Sequence, residues 1–141
     1  MSDDLARFVQ AQQAVMDDVR AELAAGRKRT HWMWFVFPQL RGLGHSAMAR
    51  HYGIASREEA AAYLAHPVLG ARLRECVQLV LSVRGRTAHE IFGSPDDLKL
   101  RSCLTLFREI DGADSVFGPA LDQYFDGQPD PMTLQLLATA R

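Results

Sequence analysis

Apolar residues at helical spacing, separated by helix starts and stops, run along almost the whole chain. From Leu5 to Leu23 they recur at three- and four-residue steps, which predicts one amphipathic first helix that Gly26 can end. Residues 34–37 alone have the apolar density of a strand, and one strand would have no partner. We interpret them as a buried extended or single-turn aromatic segment after the first helix. The pattern predicts an all-α domain of six to eight helices.

Capping patterns and prolines place the middle helices. Ser56–Glu59 has the spacing of a capping box, and His66-Pro67 should end the helix that it starts. Because proline is tolerated in a first helical turn, a new helix is predicted from Val68 to about Val83. Thr87–Glu90 repeats the capping box and predicts a short turn that ends at Gly93.

The strongest helix start is Ser94–Asp97, which combines a capping hydroxyl, a proline and two acidic residues. The apolar residues that follow it predict a central buried helix that Gly112 can end. Two more helices are predicted over 115–125 and 131–139, the latter capped by Asp130.

Composition limits the classes of protein to consider. The chain has 141 residues, of which 48% are hydrophobic and 23% charged, as in globular domains, and no linker or repeat divides it. Residues 1–141 are therefore expected to form one domain. A net charge of −1 argues against an extended nucleic-acid surface. No apolar run is long enough for a membrane span, and the acidic N-terminus is unlike a signal peptide, so we expect a cytoplasmic protein.

Cysteines and histidines do not form a metal or nucleophile motif. Cys76 and Cys103 fall on apolar helix faces and are expected to be reduced core residues. The five histidines lack metal-ligand spacing, so no metal and no cofactor is expected. Since Cys103 has no evident base partner, a cysteine hydrolase is not favoured.

The first candidate ligand site lies around the two tryptophans. The basic cluster 27–29 is followed by His31, Trp32, Trp34 and Gln39. Aromatic faces can stack a planar ring, fixed positive charge can neutralise a phosphate, and an amide can orient a ligand. We predict these four residues to bind a ligand. Two alternatives remain open. In one, the basic cluster only stabilises the negative end of a helix dipole at a helix C-terminus, and in the other, the tryptophans anchor the core.

A glycine-containing turn is the second candidate. Gly42 and Gly44 lead into a helix start, where backbone N–H groups can approach an anion. Gly44, Ser46 and Arg50 are predicted ligand-binding residues. The dinucleotide fingerprint is incomplete because position 47 is Ala47 rather than glycine, and the alternative is a loop in which Ser46 caps a helix.

The third candidate is the start of the central helix. Asp96 and Lys99 are three residues apart and therefore share a helix face. They would form either a buried pair with a structural or functional role or an exposed ion pair. We predict Asp97 and Lys99 to be catalytic. Ser102 on the same helix and His66 before Pro67 are predicted to bind the ligand.

Four long motifs, 31–39, 42–49, 63–73 and 97–107, resemble a bacterial family, domain of unknown function 1810, whose members are often labelled calpastatin. Calpain inhibitors of that name are disordered and polar, unlike this apolar chain, so the label is set aside. Cys103-Leu104 departs from the family pattern, which more often has Ser-Met there. That difference indicates a small side chain at position 103 and argues against a thiol mechanism. The family is also distantly similar to the NADAR group, which resembles enzymes that cleave ADP-ribose or related N-glycosides.

Two hypotheses follow from these residues and this resemblance. In the first, a pocket takes a nucleotide-like or ADP-ribose-like molecule and hydrolyses its N-glycosidic bond without a metal. Trp32 or Trp34 would stack the base, and the basic cluster 27–29 or Arg50 would bind phosphate. Gln39 and His31 would orient the ribose or the base, and Asp97 with Lys99 would face the bond.

In the second hypothesis the chain is a non-catalytic binding or regulatory domain that acts through protein partners. The aromatic run is then core, and the polar residues of the central helix stabilise the fold. Exposure of the tryptophans distinguishes the two, and the oligomeric state is left open.

Overall fold

A computed structural model describes residues 5–112 and 115–139, which form ten helices and no strand. In chain order they are α1 (Ala6–Gln13), α2 (Met16–Ala24), α3 (Met33–Val36), α4 (Ala47–Tyr52), α5 (Arg57–Ala65), α6 (Leu69–Ser82), α7 (Ala88–Phe92), α8 (Asp96–Asp111), α9 (Phe117–Phe125) and α10 (Pro131–Thr139). The all-α class is confirmed. Among these residues, no helix is long and apolar enough to cross a membrane.

The helix count exceeds the predicted six to eight partly because the first predicted helix is two. The amide of Val15 donates to the carbonyl of Gln12, a three-residue turn that breaks the helical ladder between α1 and α2. The Gln12 side chain is buried and donates to the carbonyl of Phe35 and the hydroxyl of Tyr63. These tertiary bonds fix the end of α1, and no local pattern in the sequence reveals them. The single turns α3 and α4 account for the rest of the excess.

Helix α8 is the central buried helix, as predicted. It packs against α5, α7, α9 and α10, while α6 packs against α2, α5 and α9. Seven of its residues are buried: Leu100, Ser102, Cys103, Leu104, Thr105, Leu106 and Phe107. Both cysteines are free and buried. Burial raises the pKa of the Cys76 thiol to about 12 and that of Cys103 well above its ordinary value, so both thiols stay protonated.

Three of the predicted helix caps are confirmed. Thr87 forms a complete capping box with Glu90. Asp130 Oδ2 accepts the backbone N–H of Thr133 in the first turn of α10. Ser56 Oγ accepts the N–H of Glu59.

Other helix boundaries differ from the sequence patterns. The Glu59 carboxylate bonds to Ala55 N rather than to Ser56 N, so that box is incomplete. At α8, Pro95 occupies the cap position without a side-chain hydrogen bond, and Ser94 does not cap the helix as predicted. Helix α9 begins at Phe117, two residues after the predicted start.

Gly70 sets the closest approach between α5 and α6. A Cβ atom there would lie 2.1 Å from the carbonyl oxygen of Leu64 and 2.9 Å from its carbon. Both are backbone atoms, which cannot rotate away. The crossing of these helices therefore requires glycine at this position.

We expect Gly70→Ala to destabilise the protein although alanine is the better helix former. Overpacking costs about 1–3 kcal/mol, which exceeds the roughly 1 kcal/mol that alanine gains over glycine in a helix. Urea unfolding would measure the difference. Gln78→Ala on the exposed face of α6 is the control, and an unchanged or raised midpoint for Gly70→Ala would contradict the packing argument.

Candidate functional site

The carboxylate of Glu22 on α2 holds the chain that leads to the aromatic segment. It is 8% exposed and accepts four hydrogen bonds: from Arg29 N (2.7 Å), Thr30 N (3.0 Å), the Thr30 hydroxyl (2.6 Å) and Trp32 Nε1 (3.0 Å). Burial alone would raise the pKa of Glu22, but these bonds to the charged form lower it to about 2. Glu22 is therefore ionised, and it fixes the path of residues 29–32.

Trp32 is consequently a core residue. Its side chain is 0% exposed, its indole N–H is bound to Glu22, and its ring packs against Phe37 at a centroid distance of 6.1 Å. This burial agrees with the core-anchor alternative, because no face of the ring is open to a ligand. Residues 27, 29 and 31 are exposed on the same loop.

Lys28, between two exposed arginines, turns inward. Its Nζ lies 2.9 Å from the carboxylate of Asp96 and 5.1 Å from the Trp32 ring, and it donates to the carbonyl of Thr30 at 2.6 Å. Its side chain is 7% exposed. The backbone N–H of Lys28 also donates to the carbonyl of Ile91. Lys28 thus ties the aromatic segment to the start of α8, a role that the sequence analysis missed because Lys28 was grouped with its solvated neighbours.

Lys99 lies on the other side of the same carboxylate. Its Nζ is 3.7 Å from Asp96 and 5.0 Å from the ring of Trp34, which is partly exposed. Asp96 therefore sits between two lysines, the closer of which is Lys28. This arrangement brings together Trp34 and Lys99, two residues predicted to act on a ligand.

Two depressions meet at Gln39 and Lys99. The first, here called the tryptophan slot, has room for about one water molecule, at about 10 Å³. It is lined by Met33, Trp34, Phe37, Gln39, Ala49, Tyr52, Gly53 and Lys99. The second, the lysine cleft, has a volume of about 260 Å³. It is lined by Gln39, Leu43, Gly44, Pro95, Leu98, Lys99, Ser102, Asp130 and Met132.

Five of the predicted site residues therefore converge: Trp34, Gln39, Gly44, Lys99 and Ser102. They come from three separate segments of the chain, the aromatic run, the glycine turn and the central helix. Gly44 is needed in the glycine turn because a Cβ atom there would lie 2.8 Å from the Cβ of Ala49 on α4.

The other predicted residues lie outside both depressions. Asp97 accepts the N–H of Leu98 and faces His89, with Oδ2 3.4 Å from Nδ1. Ser46 caps α4, as its alternative interpretation held, and Arg50 is exposed on that helix. His66 Nδ1 accepts the backbone N–H groups of residues 68 and 69 and so caps the start of α6.

Leu98, Met132 and Asp130 are among the lining residues of the lysine cleft that the sequence analysis did not place at the site. Leu98 and Met132 are 57% and 53% exposed, although each is an apolar residue on a helix. Asp130 was identified only as a cap. All three of its side-chain hydrogen bonds within the described residues, from Ser102 Oγ, Thr133 N and Thr133 Oγ1, use Oδ2, so Oδ1 accepts none from them.

Within residues 5–112 and 115–139, no group of three or more histidine, cysteine, aspartate or glutamate side chains could hold a metal ion. The depressions instead offer one ammonium group, one carboxylate oxygen, one amide and apolar walls. That set can recognise an organic anion by charge, hydrogen bonding and contact area.

Comparison with known proteins agrees with the family resemblance. The family model described as "Protein of unknown function (DUF1810)" matches residues 2–137. The chain belongs to this family. The conserved hypothetical protein Rv1873 from Mycobacterium tuberculosis, solved by crystallography at 1.38 Å, is 57% identical to this DUF1810 chain. The match covers 97% of this chain and 98% of that one, with a TM-score of 0.95. No curated protein matches the DUF1810 chain.

The Glu22 site makes stability depend on pH. The Glu22 pKa is about 2 in the folded state, against an ordinary 4.5, so its contribution is present above about pH 4.5 and is lost as the pH falls towards 2. We expect Glu22→Gln to lower the free energy of unfolding by about 3 kcal/mol at pH 7 and by much less at pH 3. Urea unfolding at both pH values measures this. Glu58→Gln, at an exposed carboxylate, is the control, and an equal loss at both pH values would contradict the assignment.

The two tryptophans should differ in accessibility. With Trp34→Phe, the remaining emission from buried Trp32 should be blue-shifted and resist quenching by acrylamide. A variant retaining only Trp34, made by Trp32→Phe, should be quenched readily if it folds. Efficient quenching of Trp32 in the Trp34→Phe variant would show that its ring is not in the core.

Proposed function

We propose that the lysine cleft binds a small anionic molecule with a planar ring, such as a nucleotide or an ADP-ribose-like compound. The observation that carries this proposal is the position of Lys99. Lys99 lines the cleft, while the carboxylate nearest to its ammonium group is bound more closely by Lys28, at 2.9 Å against 3.7 Å. Because 3.7 Å is longer than a hydrogen bond, Lys99 keeps donors for a ligand anion.

The apolar lining supports a ring-bearing ligand. Leu98 and Met132 are more than half exposed and line the cleft together with Leu43. Covering such side chains removes apolar area from water, at roughly 25 cal/mol per Å². The ring is expected against these residues rather than on Trp34, because the tryptophan slot is too small to admit one.

Polar atoms at the cleft suit the hydroxyl groups of a sugar. Asp130 Oδ1 is a carboxylate acceptor, and the amide of Gln39 can both donate and accept. The Oδ2 atom of the same carboxylate is fixed by its three donors, so the acceptor is held in position before a ligand arrives.

The proposal is for binding, and the predicted catalytic pair does not extend it to hydrolysis. Cleavage of an N-glycosidic bond needs a carboxylate beside the reacting carbon and a positioned water. Asp97 does not line the cleft, and its carboxylate faces His89. The catalytic pairing of Asp97 with Lys99 therefore has no support in the placement of Asp97.

A thermal-shift screen of AMP, ADP, ADP-ribose and NAD, each at about 1 mM, tests the proposal, since a ligand at 100 times its dissociation constant adds about 2.7 kcal/mol of stability. The dissociation constant of the best ligand is then compared between variants by calorimetry. We expect Lys99→Gln to weaken binding by about tenfold or more, since a charge-assisted hydrogen bond is lost. Arg57→Gln, an equal loss of charge on exposed α5, should leave it unchanged.

Two results would overturn this proposal. One is no shift with any of these ligands, which would favour a domain acting through a protein partner at the exposed Leu98 and Met132. The other is a ligand whose affinity is the same in the wild type and in Lys99→Gln. Leu98→Ser separates the contributions, because it should weaken ring-bearing ligands but not ribose 5-phosphate.

A further inference from the structure

A third depression lies where α6 ends and α7 begins. It has a volume of about 300 Å³ and is lined by Val83, Arg84, Gly85, Arg86, Thr87 and Gln123. We call it the arginine depression. None of its lining residues belongs to the tryptophan slot or the lysine cleft.

Side-chain hydrogen bonds fix the backbone on both sides of the arginine depression. The amide of Gln123 donates to the carbonyls of residues 81 and 83, both at 3.1 Å. The Tyr124 hydroxyl lies 2.6 Å and 3.1 Å from the carbonyls of residues 80 and 83. Thr87 closes the other end with its capping box. The loop that carries Arg84 and Arg86 is thus fixed to α9 and α7, so both arginines project from a preorganised backbone.

The guanidinium groups of the arginine depression have no partner among the described residues. Arg84 and Arg86 are exposed, and across the described residues neither side chain forms a hydrogen bond or an ion pair. The nearby carboxylate of Glu90 is occupied by the backbone N–H of Thr87. The pair is therefore uncompensated positive charge in a chain whose net charge is −1.

The basic segment found in the sequence joins this surface. A Cβ atom on Gly26 would lie 3.4 Å from Cδ of Arg86 and 3.2 Å from Val83, so the Arg86 side chain passes directly over Gly26. Arg27, the next residue, is exposed and likewise has no ion pair within the described residues. The segment that carries Arg84 and Arg86 thus lies against Gly26, the residue before Arg27.

We propose that the arginine depression binds the phosphate groups of a small ligand that carries at least two of them. Guanidinium groups match phosphate oxygens in bidentate geometry and cannot lose their charge at physiological pH. One phosphate can engage Arg84, and a second, linked phosphate can engage Arg86. The Thr87 hydroxyl accepts the Glu90 N–H in its cap, and its hydrogen can be donated to a phosphate oxygen beside the arginines. This site is independent of the ligand proposed for the lysine cleft.

Isothermal titration with pyrophosphate and tripolyphosphate, at constant ionic strength, tests the proposal on the full chain. We expect tripolyphosphate to bind more tightly than inorganic phosphate, and Arg84→Gln and Arg86→Gln each to weaken it about tenfold. Arg57→Gln matches the change in net charge and should have no effect. Lys99→Gln should also leave tripolyphosphate binding unchanged, which separates this site from the lysine cleft. Arg86→Lys keeps the charge but not the bidentate geometry, and should fall between wild type and Arg86→Gln.

Three results would overturn the proposal. They are no binding of tripolyphosphate at about 10 mM, where even a millimolar complex would saturate, equal weakening by Arg57→Gln, and an affinity in Arg84→Gln and Arg86→Gln that equals that of the wild type. A single-stranded oligonucleotide that binds more tightly than tripolyphosphate through the same arginines would reject a small ligand in favour of a nucleic-acid backbone. Circular dichroism and thermal melting of each variant without ligand would confirm that the fold is retained.

Discussion

The buried carboxylate of Glu22 is the interaction on which the aromatic segment depends. A buried charge is costly unless donors surround it, and here two backbone amides, a hydroxyl and an indole N–H do so. All four donors come from residues 29–32, so one side chain on α2 determines how the chain enters α3. The burial of Trp32 and the exposure of Trp34 both follow from that path.

Lys28 and Asp96 connect the segment that Glu22 fixes to the surface of the protein. Lys28, directly before residues 29–32, turns inward and binds Asp96 at the start of α8. Lys99, one turn further along α8, is left with a longer contact to that carboxylate and lies beside Trp34. The lysine cleft is thus the outer end of a chain of contacts that begins in the core.

The parts of the fold with local causes were predictable from the sequence. Helix α8, the Thr87 capping box and the Asp130 cap depend on residues within a turn of each other, and these predictions were confirmed. The break between α1 and α2 was not predictable, because it depends on Gln12 reaching the carbonyl of Phe35. The burial of Lys28 between two exposed arginines has the same kind of cause. The candidate site was also only partly predictable from the sequence. Five predicted residues converge there, whereas the roles of Leu98, Met132 and Asp130 depend on the packing of α8 beside α10.

A polar residue in apolar surroundings indicates a ligand only where its hydrogen bonds within the protein are incomplete. Within the described residues, every buried side-chain nitrogen and oxygen atom has a hydrogen-bond partner, so Gln12, Glu22 and Thr105 need nothing further. His66, Ser46 and Asp97 also have structural partners, which is why their presence in the motifs does not place them at a site. Among the surface polar groups of the described residues, those that line the proposed sites include the ammonium group of Lys99, Oδ1 of Asp130, and the guanidinium groups of Arg84 and Arg86. Because these groups are accessible to a ligand, they define the two proposed binding sites, the lysine cleft and the arginine depression.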